Sequence, residues 1–433
     1  MLKTHIISLG CPKNTVDTER LLASLNFEIQ SVSSPIESDI VFINTCSFVN
    51  TAVEESIETI LEVIESVSSL EHKPYIIVAG CLVGRYGEED LRKDLPEVDL
   101  WLSNKSISTW GLSILSLLNV KSSKAKQSRI VSTQSYSWLK IAEGCSHSCS
   151  FCTIPSIRGP YRSFVKDELL NEANELVGKG IKELIVVAQD ITKWGGDFTK
   201  SRETLSMLLQ DIGAISGLHW LRLLYLYPAG VTTELLETLT TIPTFVPYFD
   251  IPMQHVHPEI VEKMGRPFAH NPWKIIERVR SFFPHAALRT SIIVGFPGET
   301  EEHFSFLLSF VKEAQFAHLG VFTYQPENGT PSATYPNQIP EEVKEERKAR
   351  LLEVQMEQSK SYLTSFVGSK MDILIDSKSD EWDGLYHGRA WFQAPEFDGI
   401  TYISGDFSSK SPIGSMEQAT ITESLLYDIV AVV

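Results

Sequence analysis

The chain has few cysteines, a deficit of basic residues and no long apolar run. Six cysteines in 433 residues are too few for a disulfide scaffold, and unpaired thiols fit the reducing cytosol. No apolar run reaches about 18 residues, so we expect no membrane span. Residues 1–5 lack the pattern of a cleaved signal peptide and lead directly into a predicted strand. These absences favour a cytoplasmic, globular protein, and the length allows several domains.

The charge balance is strongly acidic. The 38 Lys and Arg residues face 55 Asp and Glu residues, which gives a formal net charge of −17. Nucleic-acid binding depends on basic residues that neutralise phosphates, so this charge disfavours a large polyanion as partner. An acidic enzyme is better matched to a basic substrate such as a ribosomal protein. The acidity is equally compatible with a role in solubility alone.

Half of the cysteines lie in one short segment with the spacing C-x3-C-x2-C: Cys145, Cys149 and Cys152. Thiolate is a soft ligand that suits iron–sulfur clusters or zinc. Four cysteines would complete a [4Fe–4S] cluster, so three leave one iron open to a small molecule. A zinc site would need a fourth ligand, for which His147 lies awkwardly inside the same loop. Packing as small hydrophobic residues is the third alternative. We favour the cluster.

The other three cysteines each follow an apolar run in the N-terminal third. The runs are residues 4–10, 39–45 and 74–80, and the cysteines are Cys11, Cys46 and Cys81. Segments of helical period separate the runs, which predicts βαβ units around a parallel sheet. Because ligands collect beyond the carboxyl ends of such strands, we predict a second cluster on these cysteines. Hydrogen bonds to its sulfurs could come from Asn14, Asn44 and Thr45, for which turn and cap roles are equally compatible.

Strand and helix signals alternate through the central part of the chain. The predicted strands are residues 138–142, 183–187, 220–225, 248–251, 288–294 and 319–322. Function is expected at their carboxyl ends, as in closed α/β barrels. His255 stands at one such end, where a structural role and a site role are both compatible. Arg158, Arg162 and Arg266 could clamp carboxylates, although we expect them to be exposed.

Two further segments flank this region. Residues 121–129 are rich in Lys and Ser and are interpreted as a linker. After a predicted helix at 340–363, the chain changes to short strands, which predicts a small β-barrel. They are residues 371–375, 388–394, 400–403, 417–423 and 427–432. From residue 361 onward, four Lys and Arg face eleven Asp and Glu, so this barrel should repel phosphates and attract a basic protein.

The aromatic residue before the last cysteine, Phe151, completes a pattern that resembles the radical S-adenosylmethionine (SAM) superfamily. In that superfamily the open iron of a [4Fe–4S] cluster binds SAM, and one electron splits SAM to give a 5′-deoxyadenosyl radical. With a second cysteine triad, the chain resembles the methylthiotransferases, which carry two iron–sulfur clusters. The resemblance covers almost the whole chain.

Four motifs make the chain most similar to the branch that modifies a ribosomal protein. They are Ser-Leu-Gly-Cys-Pro-Lys-Asn at 8–14, Ile-Pro-Ser-Ile-Arg-Gly at 154–159, Pro-Met-Gln-His at 252–255 and Ala-Pro-Glu-Phe-Asp-Gly at 394–399. The transfer-RNA branch tends to have Gln-Met-Asn after its first cysteine. The chain departs from the superfamily at Ala188-Gln189-Asp190, where a Gly-Gly-Glu element often holds the SAM amino group.

The resemblance implies an α/β multidomain architecture. Its parts are an N-terminal parallel-sheet domain (1–130), a central partial (βα)6 radical SAM barrel (131–359) and a small antiparallel TRAM-like β-barrel (360–433). The implied cofactors are SAM and two [4Fe–4S] clusters, with the six cysteines as iron ligands and no catalytic residue beyond them. The candidate SAM contacts are Phe151, Gln189, Arg222, Gln254, Gly295 and Glu299.

The implied reaction adds a methylthio group to the β-carbon of an aspartate in small-subunit ribosomal protein twelve. The cluster on Cys145, Cys149 and Cys152 would generate the radical, and the other cluster would hold the sulfur. The implied partners are this basic protein and an electron donor such as flavodoxin or ferredoxin, and we expect direct nucleic-acid binding to be absent or secondary. Transfer-RNA methylthiolation and a zinc-stabilised ribosome-binding module remain as alternatives.

Overall fold

The computed structural model describes residues 2–25, 28–120, 129–266, 271–407 and 411–433. Apart from Arg129, the predicted linker lies outside these ranges. Within them, every helix is too short or too polar to span a bilayer. The described residues form a five-stranded sheet, a six-stranded sheet and a closed five-stranded barrel, in that order along the chain.

The N-terminal part is a parallel sheet, as predicted. Its strands are β1 (Leu2–Ser8), β2 (Ile29–Ser31), β3 (Ile40–Thr45), β4 (Tyr75–Gly80) and β5 (Leu100–Ser103), in the spatial order β2-β1-β3-β4-β5. Its helices are α1 (Pro12–Ser24), α2 (Asn50–Val67), α3 (Cys81–Tyr86), α4 (Glu88–Asp94) and α5 (Trp110–Leu117). All six β3 residues are buried because helices cover both faces: Val41 and Ile43 enter one core, and Ile40 and Phe42 enter the other.

The central part is an open parallel sheet of six strands, in agreement with the six predicted strands. These are β6 (Tyr136–Lys140), β9 (Glu183–Val187), β10 (Trp220–Leu223), β11 (Phe245–Asp250), β12 (Ala287–Val294) and β13 (His318–Thr323), paired in that order. A separate antiparallel pair, β7 (Ala142–Glu143) and β8 (Arg162–Ser163), brackets the cysteine loop.

Most helices of the central part bury apolar residues in the same core as this sheet. They are α7 (Lys166–Gly178), α8 (Leu205–Gly213), α9 (Thr233–Thr240), α11 (Pro272–Phe282), α12 (Glu301–Ala314) and α13 (Glu341–Thr364). The short helices α6 (Ile154–Arg158) and α10 (Pro258–Lys263) contribute no residue to that core. Helix α7 shows why these helices form. Leu169, Ala173 and Leu176 are buried at helical spacing. Asp167 and Glu168 in the first turn interact favourably with the positive end of the helix dipole. Helix α13 is continuous across the predicted domain boundary at 359–360. The position of that boundary stays a prediction.

The C-terminal part is a closed barrel, but its strands are not all antiparallel. Its strands are β14 (Lys370–Lys378), β15 (Leu385–Arg389), β16 (Thr401–Ser404), β17 (Met416–Ser424) and β18 (Ile429–Val432). The pair β16 and β18 is parallel. Strand β18 follows β17 in the chain and lies between β16 and β17, where it closes the barrel. The strand predicted at 388–394 was placed too late: it ends at Arg389, and the apolar residues after it form a turn that enters the core.

A shared core joins the C-terminal barrel to the central sheet. Trp138, Ile185 and Tyr248 from the sheet belong to the same buried cluster as Phe392 and Ile421 from the barrel. This core holds the barrel in a fixed position against the central sheet.

Candidate active site

All six cysteines lie at carboxyl ends of strands or in the loop that follows one. Cys11 follows β1 and precedes α1, Cys46 follows β3, and Cys81 begins α3 directly after β4. Cys145, Cys149 and Cys152 lie in the loop between β7 and α6. The predicted position of the N-terminal triad at one edge of its sheet agrees with this arrangement.

Backbone contacts hold the loop of Cys145, Cys149 and Cys152 in place. Cys145 N donates to the Gly159 carbonyl at 3.1 Å, and Ser150 N donates to the Met264 carbonyl at 3.0 Å. Gly144 has a φ of +77°, and a Cβ there would lie 2.2 Å from the Pro160 carbonyl oxygen. The loop therefore requires glycine just before its first cysteine, since any side chain would displace the facing backbone.

Polar side chains surround the sulfurs. At the N-terminal triad, the side chains of Asn104 and Arg158 donate to Cys81 Sγ at 3.5 and 3.3 Å. At the loop triad, Arg266 Nη1 lies 3.6 Å from Cys149 Sγ, and its Nη2 donates to the Pro252 carbonyl. Hydrogen bonds to sulfur stabilise thiolate and tune the potential of a cluster. Asn104 was missed in the sequence because nothing in its neighbourhood marks it.

The predicted sulfur donors Asn14, Asn44 and Thr45 serve mainly the backbone. Asn14 Nδ2 donates to the carbonyls of Leu9 and Thr45, and its Oδ1 lies 4.0 Å from Cys81 Sγ. Asn44 Nδ2 donates to the Asn14 carbonyl, and Thr45 Oγ1 donates to the Ala79 carbonyl. These bonds tie together the strand ends that carry the cysteines.

Arg158 connects the two triads. It ends helix α6, which begins two residues after Cys152, and its guanidinium reaches Cys81 in the other sheet. The same guanidinium bonds Asn14 Oδ1 at 2.5 Å and both Glu143 oxygens at 2.9 and 3.1 Å. Its side chain is 2% exposed, so the expectation of an exposed arginine was wrong. Arg266 is also buried, whereas Arg162 is exposed as expected.

A buried charge cluster surrounds Arg158, and sequence reasoning missed it. The carboxylates of Asp17 and Glu143 share the cations Lys140 and Arg158, with Lys140 bonded to both carboxylates. Lys140 and Arg158 hold the pKa of the Glu143 carboxyl far below its usual range, although burial opposes this. Asp17 belongs to the N-terminal part and the other three to the central part, so the cluster fixes the two parts together. A lysine inside the apolar strand β6 was the available signal.

The donor set fits iron–sulfur clusters better than zinc. The six thiols are free, and burial raises the pKa of Cys152 to about 12 and that of Cys46 to about 11, so a metal must displace protons to bind. Among the described residues, no three Cys, His, Asp or Glu side chains converge on one ion, as a tetrahedral zinc site requires. A [4Fe–4S] cluster binds each cysteine to a different iron and needs no such convergence. His147 instead bonds Asp190 at 2.7 Å and stacks on Tyr227.

Three of the candidate SAM contacts lie around the cysteine loop. Phe151 packs against the buried cluster that contains Phe296, the residue after Gly295. Gln189 Nε2 donates to Glu143 Oε1 at 3.1 Å, and Glu143 lies two residues before Cys145. Gln254, four residues after β11, has a φ of +67°, a costly conformation for a residue with a side chain. Strained backbone of this kind is concentrated at functional sites.

Glu299 supports the glycine turn after β12 from within. Its Oε2 accepts from Gly295 N at 2.9 Å, and its Oε1 accepts from Arg347 at 2.8 Å. Burial raises the pKa of this carboxyl to about 7 in spite of those donors. His255 is fully buried, with its Nε2 3.6 Å from Glu299 Oε2. Burial lowers the pKa of His255 to about 3, so the imidazole is neutral. Both oxygens of Glu299 are thus engaged inside the protein, and we expect it to shape the turn rather than contact SAM.

Arg222 does not lie at this site, so the predicted contact with SAM is wrong. It is fully buried, donates to Glu183 at 2.6 Å and donates to the Trp391 carbonyl of the C-terminal barrel at 2.8 Å. Arg389 bonds the second oxygen of Glu183. Burial opposes ionisation of Glu183, but the two guanidinium groups lower its pKa overall. Arg222 therefore belongs to the interface with the C-terminal barrel.

Comparisons with known families agree with the three parts. The chain matches the uncharacterised protein family UPF0004 over residues 3–103, the radical SAM superfamily over 139–311 and the TRAM domain over 367–433. A solved structure of the radical SAM methyltransferase TsrM from Kitasatospora setae, with cobalamin and a [4Fe-4S] cluster bound, has a TM-score of 0.55 and 13% identity. It covers 76% of this chain and 73% of that one. This likeness shows the fold alone.

Similar curated proteins cover the whole chain. Three of them share the name ribosomal protein uS12 methylthiotransferase RimO. The one from Lawsonia intracellularis is 54% identical over 99% of this chain and 97% of its own. The one from Nitratidesulfovibrio vulgaris is 51% identical over 100% of both, and the one from Aquifex aeolicus is 42% identical over 99% and 96%. At this identity over almost the full length of both partners, the chain belongs to the RimO family of radical SAM methylthiotransferases.

Proposed function

We propose that this protein adds a methylthio group to the β-carbon of an aspartate in ribosomal protein uS12. The observation that carries the proposal is the position of Arg158, which follows one cysteine triad in sequence and donates to Cys81 of the other at 3.3 Å. Two clusters on such triads would face a common substrate site. A reaction that needs one cluster for hydrogen abstraction and one for sulfur delivery requires this proximity.

The cofactors of this family are two [4Fe–4S] clusters and SAM, which together supply hydrogen abstraction from an unactivated carbon and a methylthio donor. Cys145, Cys149 and Cys152 would hold the cluster that binds SAM. The three N-terminal cysteines would hold the second cluster. The donors beside Cys81 and Cys149 would favour thiolate at both sites.

The SAM-binding residues are a further part of the proposal. Phe151, Gln189 and Gln254 would contact SAM beside the loop triad, together with the turn at Gly295, whose φ of +75° glycine adopts without strain. A Cβ at Gly295 would lie 2.3 Å from Lys344 Cγ, so the turn requires glycine for packing as well. Glu299 would keep the turn in position.

Charge supports a protein substrate over a transfer RNA. The chain has a net charge of −17, and the segment from residue 361 onward contributes an excess of seven acidic residues. A basic ribosomal protein is attracted by such a surface, whereas phosphates are repelled. We also propose that the protein acts in the cytoplasm, where ribosomal proteins and reduced thiols occur, with a flavodoxin or ferredoxin as electron donor.

Two triple variants test the division of labour between the triads. The wild-type protein, reconstituted without oxygen, should contain about eight irons per chain. Replacing Cys11, Cys46 and Cys81 by Ala should leave about four irons and reductive SAM cleavage but abolish thiomethylation of a uS12 peptide. Replacing Cys145, Cys149 and Cys152 should abolish both activities. If the first variant lost SAM cleavage with its remaining cluster intact, the division of labour would be wrong.

The substrate is tested in cells. Mass spectrometry of uS12 from a strain that lacks this gene should show the aspartate without its methylthio group. Restoring the wild-type gene should restore the modification, and restoring the first triple-cysteine variant should not. An unchanged modification in the deletion strain would reject uS12 as the substrate.

A further inference from the structure

Two of the buried cations lack a carboxylate partner, and both lie beside the cysteine triads. Nine Lys and Arg side chains are buried among the described residues. Seven of them form ion pairs: Arg129, Lys140, Arg158, Arg222, Lys344, Arg347 and Arg389. The remaining two are Arg266, which bonds a sulfur and a carbonyl, and Lys13. A buried cation that no carboxylate pairs with is costly, so it indicates a ligand that supplies negative charge.

Lys13 lies between the two sheets, two residues after Cys11. It is 7% exposed, and its Nζ lies 3.6 Å from the centre of the Tyr225 ring, which belongs to the central part. Tyr225 follows strand β10 and has a φ of +62°. The aromatic face lies against the ammonium, and the Tyr225 side chain also bonds it. The Cys11 thiolate, when ionised, is a further favourable charge, and no carboxylate pairs with the ammonium.

The carboxylate at ion-pair spacing from Lys13 is already engaged. Asp17 lies four residues after Lys13 on helix α1, the spacing at which ion pairs form along a helix. Its carboxylate is bonded by Lys140 and lies 3.5 Å from Arg158. Every Asp and Glu of the sequence lies in the described part of the chain, and none of them forms an ion pair with Lys13. The ammonium has three N–H donors, so its bond to Tyr225 leaves others for an external carboxylate.

We propose that Lys13 binds the carboxylate of the aspartate that is modified. This inference rests on the proposed function, which places an aspartate side chain between the two triads. The carboxylate is bonded directly to the β-carbon, so an ammonium that holds it fixes the reacting carbon within one bond. Lys13 thereby acts as a specificity determinant for aspartate over asparagine, because an amide cannot neutralise the buried charge. The carboxylate of SAM is the other possible occupant.

The test uses Lys13→Met, which keeps the length of the side chain and removes its charge, and Lys13→Arg, which keeps the charge. The matched control is Lys93→Met, at an exposed site of the same domain. Binding of two uS12 loop peptides, with Asp or Asn at the target position, is measured on the reconstituted proteins. SAM affinity is measured on the same samples.

The wild type and Lys93→Met should prefer the Asp peptide. Lys13→Met should bind that peptide roughly 30-fold or more weakly and lose the preference, at unchanged SAM affinity. Lys13→Arg should retain the preference even where its affinity falls, which separates a charge effect from misfolding. If Lys13→Met kept the wild-type preference, or if it weakened SAM binding instead, the proposal would be overturned. Failure of the wild type to thiomethylate the Asp peptide would reject the proposed function, whatever the variants do.

Discussion

Removal of Arg158 should loosen the junction between the two triads. Its guanidinium makes two bonds to Glu143, lies 3.5 Å from Asp17 and donates to Cys81. In Arg158→Met, two buried carboxylates would share the single cation Lys140, which leaves one uncompensated negative charge. Breaking a buried ion pair in this way costs about 3–5 kcal/mol. At a urea dependence of about 2 kcal/mol per molar, the unfolding midpoint should fall by roughly 1.5–2.5 M.

The assay is urea unfolding of the cluster-free protein, followed by tryptophan fluorescence. The control is Arg92→Met, which removes a half-exposed ion pair with Glu88 and should cost only about 0.3–0.5 kcal/mol. In reconstituted protein, Arg158→Met should lose thiomethylation to a greater extent than SAM cleavage, because the second triad is displaced while the first stays anchored by its backbone contacts. A destabilisation no larger than that of the control would refute the role of this cluster in joining the two parts.

Two further predictions concern the turns that support the site. Burial raises the pKa of Glu299 to about 7 from an ordinary value of 4.5, so its protonated form stabilises the fold, and this stabilisation is lost as pH rises through 7. About 3 kcal/mol of unfolding free energy should disappear between pH 4.5 and 7, and a pH series of Glu299→Gln should lack this component; an identical pH profile would contradict it. Gly144→Ala should remove about four irons per chain, because its Cβ would meet the Pro160 carbonyl. The control is Gly180→Ala, at a φ of +100°, where the added Cβ would have no other atom within 4 Å and the substitution brings backbone strain alone. Equal iron loss in both variants would show that the contact at Gly144 is not the cause.

Local patterns in the sequence were sufficient for the strands and for the positions of the cysteines. Apolar runs followed by cysteine predicted β1, β3 and β4. Strands β3 and β4 are buried on both faces and are therefore apolar along most of their length, whereas β1 is only partly buried. They did not predict the short strands β2 and β5, which are too brief to carry a pattern. The strand placed at 388–394 was wrong because its apolar residues enter the core from a turn.

Charged side chains were the main failure of sequence reasoning. Arg222 was assigned to SAM from its place near a strand end, but its partner Glu183 lies on the neighbouring strand and Arg389 comes from the C-terminal barrel. Arg158 was expected at the surface because isolated arginines usually are exposed. Its burial depends on two carboxylates, Asp17 and Glu143, of which Asp17 lies on helix α1 of the N-terminal part.

The sequence by itself determined the ligand chemistry and the order of the three parts, since thiol spacing and apolar periodicity are local properties of the chain. Only the tertiary structure decided that Arg158 reaches from one triad to the other, and that Lys13 is buried without a carboxylate partner. Both features depend on which residues far apart in sequence meet where the two sheets join. A buried charge is defined by its neighbours in space, and no local pattern records them.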